Sequence, residues 1–311
     1  MSIHAPSDPA GLADPPAPAP RVVPVSGLRG SVHRRPVVWF FSLAFALSWL
    51  AWSPYILSEN GLGVLHFSYP VIGGSGQLLG VLPGAYLGPI TAALLVTGII
   101  EGRAGLRAWR VRMTKLRVRW YWFVAVAVAV PAALTVASMV LGGGSPALPS
   151  AALLIAYVPS LLIQMVTTGL AEEPGWREFA MPRLQRRYGP LTGTLILGPL
   201  WGAWHLPLFL SEWGGWPHVN PAKPLVFIAT TVVFSIVMTW VFNLSAESMP
   251  LVMLMHTSVN NFFSTVWTPM FPKLADMKAD YAFLLVSGVV ALVALIVTRG
   301  RLGRPDLAKT A

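Results

Sequence analysis

The sequence contains no cysteine and only twelve acidic residues in 311. Without cysteine there can be no disulfide, no thiolate metal site and no cysteine nucleophile. Charged residues of both signs make up 11% of the chain, against about 25% in soluble domains. The metalloprotease pattern HExxH is missing, and so is any internal repeat, which argues against a transporter built from inverted halves. Between the apolar runs no gap is long enough for a soluble domain. What fills the chain is hydrocarbon: 55% apolar residues and a mean hydropathy of +0.63. These values describe a polytopic membrane protein of a single membrane domain.

Residues 1–35 are rich in Pro and Ala and end in Arg34-Arg35, a composition that cannot bury enough apolar surface to fold alone, so a disordered cytoplasmic tail is expected there. The first apolar run, Val37 to Leu57, continues well past a signal-peptidase-like Ala44-Phe45-Ala46 and reads as an uncleaved span. Further runs of roughly 17 to 23 residues, the length that crosses the hydrocarbon layer, lie near Leu78 to Ile100, Trp120 to Leu141 and Ala151 to Leu170. Four more follow near Leu191 to Leu210, Leu225 to Leu244, Leu251 to Trp267 and Tyr281 to Val297. The expectation is an all-α fold with about eight transmembrane helices, the membrane domain at 36–300 and a second short cytoplasmic tail at 301–311. With the N-terminus inside, eighteen of the 22 basic residues fall on one side, Lys223, Lys273 and Lys278 on the other, and Arg177 within a span. That positive-inside bias predicts both termini in the cytoplasm. It also explains the net charge of +10 without a nucleic-acid partner. The Pro/Ala-rich, Arg-rich and Lys-poor chain suggests a high-GC bacterium and hence a bacterial plasma membrane.

Polar groups inside such runs need a reason, because a charge at the bilayer centre costs about 2.5 to 3.5 kcal/mol on insertion scales. Glu172-Glu173-Pro174-Gly175-Trp176-Arg177-Glu178 follows the fourth run directly; His205 lies in the fifth, and His256 and Asn260 in the seventh. Each has a plain structural reading. A lone histidine can bond a neighbouring helix, His256 and Asn260 four apart can form a polar packing stripe, and the two glutamates can be interfacial acids at a helix start marked by Pro174. Depth separates the alternatives. His205 lies 14 residues beyond Leu191, roughly 20 Å at 1.5 Å per residue. A fourth helix ending at Leu170 would leave Glu172 at the surface. One that continues to Arg183, Arg186 and Arg187 submerges it by roughly 16 Å, with a kink expected at Pro174 and Gly175, and lets the groups converge.

The order EExxxR, aromatic-xxxH and HxxxN, realised as Glu172-Glu173...Arg177, Trp201...His205 and His256...Asn260, resembles the CAAX protease and bacteriocin-processing family of intramembrane endopeptidases. That family includes the type II CAAX prenyl endopeptidase and bacterial Abi proteins. The resemblance runs from about Leu162 to Phe262 and implies a protease core at about 150–268. Two positions depart from the pattern: Trp201 replaces the usual Phe, where an aromatic packing role is expected, and Glu178 adds an acid beside the site with no assigned role. By the resemblance, Glu172 with His205 activates a water that attacks the scissile carbonyl, and His256 with Asn260 donates to the oxyanion.

The chemistry of the residues agrees, since a carboxylate in a low-dielectric cavity makes an effective general base and His and Asn are suitable oxyanion donors. Glu173 and Arg177, four apart, form a local ion pair that supports the segment. The favoured mechanism uses no metal; the alternative is a catalytic zinc held by Glu172, His205 and His256. The expected substrate is a membrane-anchored protein or peptide cut near the inner leaflet. A prenylated CAAX protein, a leader peptide, a bacteriocin-like precursor and an anti-sigma-type membrane protein all fit. Two other classes compete: a non-catalytic immunity or scaffold protein of the same fold, and a proton-coupled transporter.

Overall fold

The computed structural model describes residues 26–72, 76–116, 118–274 and 277–304, so most of the expected N-terminal tail and the last seven residues of the C-terminal one lie outside the described residues. The fold is all-helical, 78% helix, and has no strand among the described residues. Within the expected tail, Gly27–Arg34 form a short helix, α1, whose Val32 is buried. The long elements are α2 (Pro36–Leu57), α3 (Gln77–Met113), α4 (Trp120–Gly142), α5 (Ala151–Tyr188), α6 (Pro190–Leu210) and α7 (Lys223–Leu244). Next comes α8, which starts as Met249–Asn261 and continues through Phe262–Trp267 and Thr268–Met270, and the last is α9 (Lys278–Thr298).

Seven of these helices are long and apolar enough to cross a membrane. The expected eighth, α8, has the length but not the apolarity, because His256, Thr257, Ser258, Asn260 and Asn261 interrupt it. Proline at the first turn starts α2, α6, α7 and α8, where its missing N–H costs nothing. In α3 the helix breaks at Gly102, whose φ of 61° an L side chain rarely adopts, so Arg103 to Met113 leave the axis of the span.

The centre of the bundle is α5, and its two halves differ. None of Ala151–Gln164 is buried, as befits a lipid-facing segment. Ala171 through Met181 are all buried, and a helix buried on every side lies inside a bundle. Around it α2 packs on α3, α4 on α8, and α7 on both α6 and α9. Close approach makes this possible at Gly175, where a Cβ would meet the Cβ of Pro89 in α3 at 2.5 Å and its carbonyl oxygen at 2.7 Å. Where a kink was expected, Pro174–Ala180 form a π-helical stretch. Proline has no N–H to give the α-helical ladder and its ring clashes with the carbonyl four residues back, and the wider turn accommodates both.

Candidate active site

Helix α5 does continue past Leu170 to Tyr188, so Glu172 is an interior residue, 6% exposed. It looks into a cavity of about 310 Å³ whose wall also includes Trp201 and His205 of α6 and His256 and Asn260 of α8. The three motifs, far apart in the chain, thus share one cavity wall. Most of the rest of the lining is apolar or aromatic, among it Phe227 and Phe234 of α7 and Phe283 of α9.

The two neighbouring acids have separate partners. Glu172 Oε2 accepts a hydrogen bond from the indole N–H of Trp201 at 2.8 Å. Glu173, wholly buried, accepts from His256 Nδ1 at 2.8 Å and from Arg177 Nη1 at 3.4 Å. The expected ion pair with Arg177 is therefore present, but it is long beside the usual 2.7 to 2.9 Å of a charged hydrogen bond, and the shorter contact is to the histidine. Successive residues on a helix point about 100° apart, which sends Glu172 to the cavity and Glu173 behind it. Arg177, fully buried as well, donates to Ser235 Oγ of α7 at 3.2 Å and lies 4.1 Å from the centre of the Trp201 ring.

His205 Nδ1 bonds the main-chain carbonyl of Trp201 at 3.0 Å, one turn back, which makes Nδ1 the donor and leaves Nε2 as the free ring nitrogen. The ring sits among Trp204, Trp213 and Phe227. Among the described residues no hydrogen bond joins Glu172 to His205; each closes instead on Trp201. Among the described residues no hydrogen bond joins the Asn260 amide to Glu172, Glu173, His205 or His256, whereas the adjacent Asn261 is wholly buried and donates to the Tyr157 carbonyl at 3.0 Å.

Trp201 has the expected packing role, stacked on Phe234, and in addition its N–H binds the candidate base. Glu178 is not in the site: it is absent from the cavity wall and pairs with Arg112 at the end of α3. Sequence reasoning also passed over Gln164 and Thr168, which line the cavity with Glu172. Their signal was available, because 164, 168 and 172 lie at i, i+4 and i+8 along one face of α5. Among the described residues no three His, Cys, Asp or Glu side chains are grouped so that they could hold a metal ion.

Residues 154–262 match the model of a protein family described as type II CAAX prenyl endopeptidase Rce1-like. That interval holds all three motifs. Over this stretch the chain is similar to that family. A curated relative, CAAX prenyl protease 2 of Methanococcus maripaludis, is 28% identical over 107 residues, 33% of this chain. The match spans 39% of that relative's length. With its seven apolar helices, the chain is an integral membrane protein.

Proposed function

We propose that the protein is an intramembrane endopeptidase that hydrolyses a peptide bond in a membrane-associated protein or peptide. The observation that carries this reading is the one cavity lined together by Glu172, His205, His256 and Asn260, with largely apolar and aromatic walls. Its volume, about 310 Å³, falls at the lower end of the range of ligand sites, about 300 to 1,000 Å³.

In the proposed reaction Glu172, oriented by Trp201, takes a proton from water while His205 Nε2 accepts the second hydrogen bond of that water. The oxygen adds to the scissile carbonyl carbon, and the C=O π electrons move to the carbonyl oxygen. His256, held from behind by Glu173 on Nδ1, presents Nε2 to the oxyanion and donates there together with the Asn260 amide. As the tetrahedral centre collapses the C–N bond breaks, and the proton held on Glu172 passes to the departing amine. Each oxyanion donor is worth about 2.7 to 4 kcal/mol in comparable sites. No metal takes part in this scheme.

The topology we propose has α8 as an eighth crossing and both termini in the cytoplasm, in keeping with the distribution of basic residues. Prenylated CAAX proteins are the substrate class that the relative's name suggests. A bacterial leader peptide or anti-sigma-type membrane protein meets the same geometric requirement. The decisive experiment is cleavage by purified protein in proteoliposomes. Glu172→Gln, His205→Ala and His256→Ala should each abolish hydrolysis while the helical signal persists. Substantial activity in Glu172→Gln would sink the assignment, and a requirement for stoichiometric zinc would overturn the metal-free scheme.

A further inference from the structure

Trp201 touches nearly every group on which the proposed chemistry depends. Its indole N–H donates to Glu172 Oε2 at 2.8 Å, and its main-chain carbonyl accepts from His205 Nδ1 at 3.0 Å. The guanidinium of Arg177 lies 4.1 Å from the ring centre, and the His256 ring meets it edge-on at 5.2 Å and 87°. Phe234 stacks at 6.0 Å on the same indole. The residue is 3% exposed, so these contacts compete with little solvent.

This arrangement constrains the carboxylate. With Oε2 committed to the indole, rotation of the carboxyl group about its last torsion, otherwise broad, is restricted and Oε1 is the oxygen left for the reacting water. The indole itself is held in place by Arg177 on its face and Phe234, so the donor does not have to be ordered when substrate binds. We infer that Trp201 is a positioning residue that aims Glu172 and fixes the ring of His205, and that its N–H is a working part of this site rather than an incidental feature of a packing aromatic. The inference rests on the hydrolase reading for its kinetic consequence, and on the hydrogen bond alone for its structural one.

Trp201→Phe keeps an aromatic ring beneath Arg177 and deletes only the donor and part of the ring. One hydrogen bond to a charged acceptor corresponds to about a 10-fold fall in kcat or more. KM should stay within about twofold, because no substrate contact is removed; a packing defect would instead lower thermal stability and active fraction together. A second measurement needs no change at Trp201. In a nitrogen-15 spectrum of the tryptophan indoles, the Trp201 N–H, assigned by Overhauser contacts to the His256 and Phe234 rings, should lie downfield in the wild type and move upfield in Glu172→Gln. Wild-type kcat in Trp201→Phe, or an unmoved Trp201 resonance in Glu172→Gln, would overturn the inference. Either result leaves the hydrolase reading standing so long as Glu172→Gln is inactive, and cleavage by Glu172→Gln is the separate sign that the hydrolase reading itself has failed.

Discussion

Replacing Arg177 by methionine would remove the guanidinium that balances Glu172 and Glu173 in the middle of the bundle. The arginine and Glu173 are both fully buried, so solvent screens neither. Their contact, at 3.4 Å, is too long to be a strong bond in its own right, and most of the cost of the substitution comes from what remains. Two acids, four and five residues before the lost cation, would face low-dielectric surroundings without it. The guanidinium over Trp201 also vanishes, a desolvated cation–π contact worth about 2 kcal/mol. Removing one partner of a buried pair typically costs about 3 to 5 kcal/mol, a large part of the 5 to 15 kcal/mol by which proteins are ordinarily stable. Unfolding in mixed micelles with increasing dodecyl sulfate, followed by tryptophan fluorescence and helical dichroism, would measure the loss. The double variant Glu173→Gln/Arg177→Met should recover at least about 1 kcal/mol of it, because the neutral amide can still accept from His256 while no longer needing a cation. An Arg177→Met protein within about 1 kcal/mol of wild type would refute the view that the cluster is a desolvated ionic network.

Four further outcomes are expected. Gly175→Ala places a methyl against Pro89, where the nearest atom is 2.5 Å away; overpacking of this kind costs about 1 to 3 kcal/mol, read as a lower melting temperature with a parallel loss of activity. Asn260→Ala should lower kcat by about 100-fold or more with little change in KM, the pattern for a donor used only in the transition state, measured on the same peptide substrate. Glu178→Gln, by contrast, should keep kcat within about twofold of wild type and cost only a modest amount of stability, because its partner Arg112 is half exposed. The natural absence of cysteine gives a clean background for topology: Arg186→Cys should react with an impermeant maleimide only from the cytoplasmic side, and His218→Cys only from the other. Labelling of both from the same face would overturn the proposed orientation.

Much of this arrangement was legible in the chain. The extension of α5 beyond Leu170 followed from helix rise and the position of Arg183, Arg186 and Arg187, and the helix does run to Tyr188. The spacing of His256 and Asn260 put them on one face, and both line the cavity. The partners were not legible. Whether Glu173 meets Arg177 alone or His256 as well depends on how α8 is rotated against α5, which no local pattern encodes. The Trp201 donor escaped notice for a similar reason: an aromatic at that position satisfies the packing requirement whatever its N–H does. Polarity of α8 was visible all along, since the residues that make it functional in the proposed scheme are those that make it a poor span by composition. The helix Gly27–Arg34 was obscured by the Pro- and Ala-rich residues before it.

Consider finally the single turn of α5 from Glu172 to Arg177. Glu172 reaches α6 through Trp201, Glu173 reaches α8 through His256, and Arg177 reaches α7 through Ser235. One turn therefore grips three neighbouring helices, each by a directional bond. The relative placement of α6, α7 and α8 at this level is therefore set by bonds to one shared support, and a change of backbone register in this segment would disturb all three contacts at once.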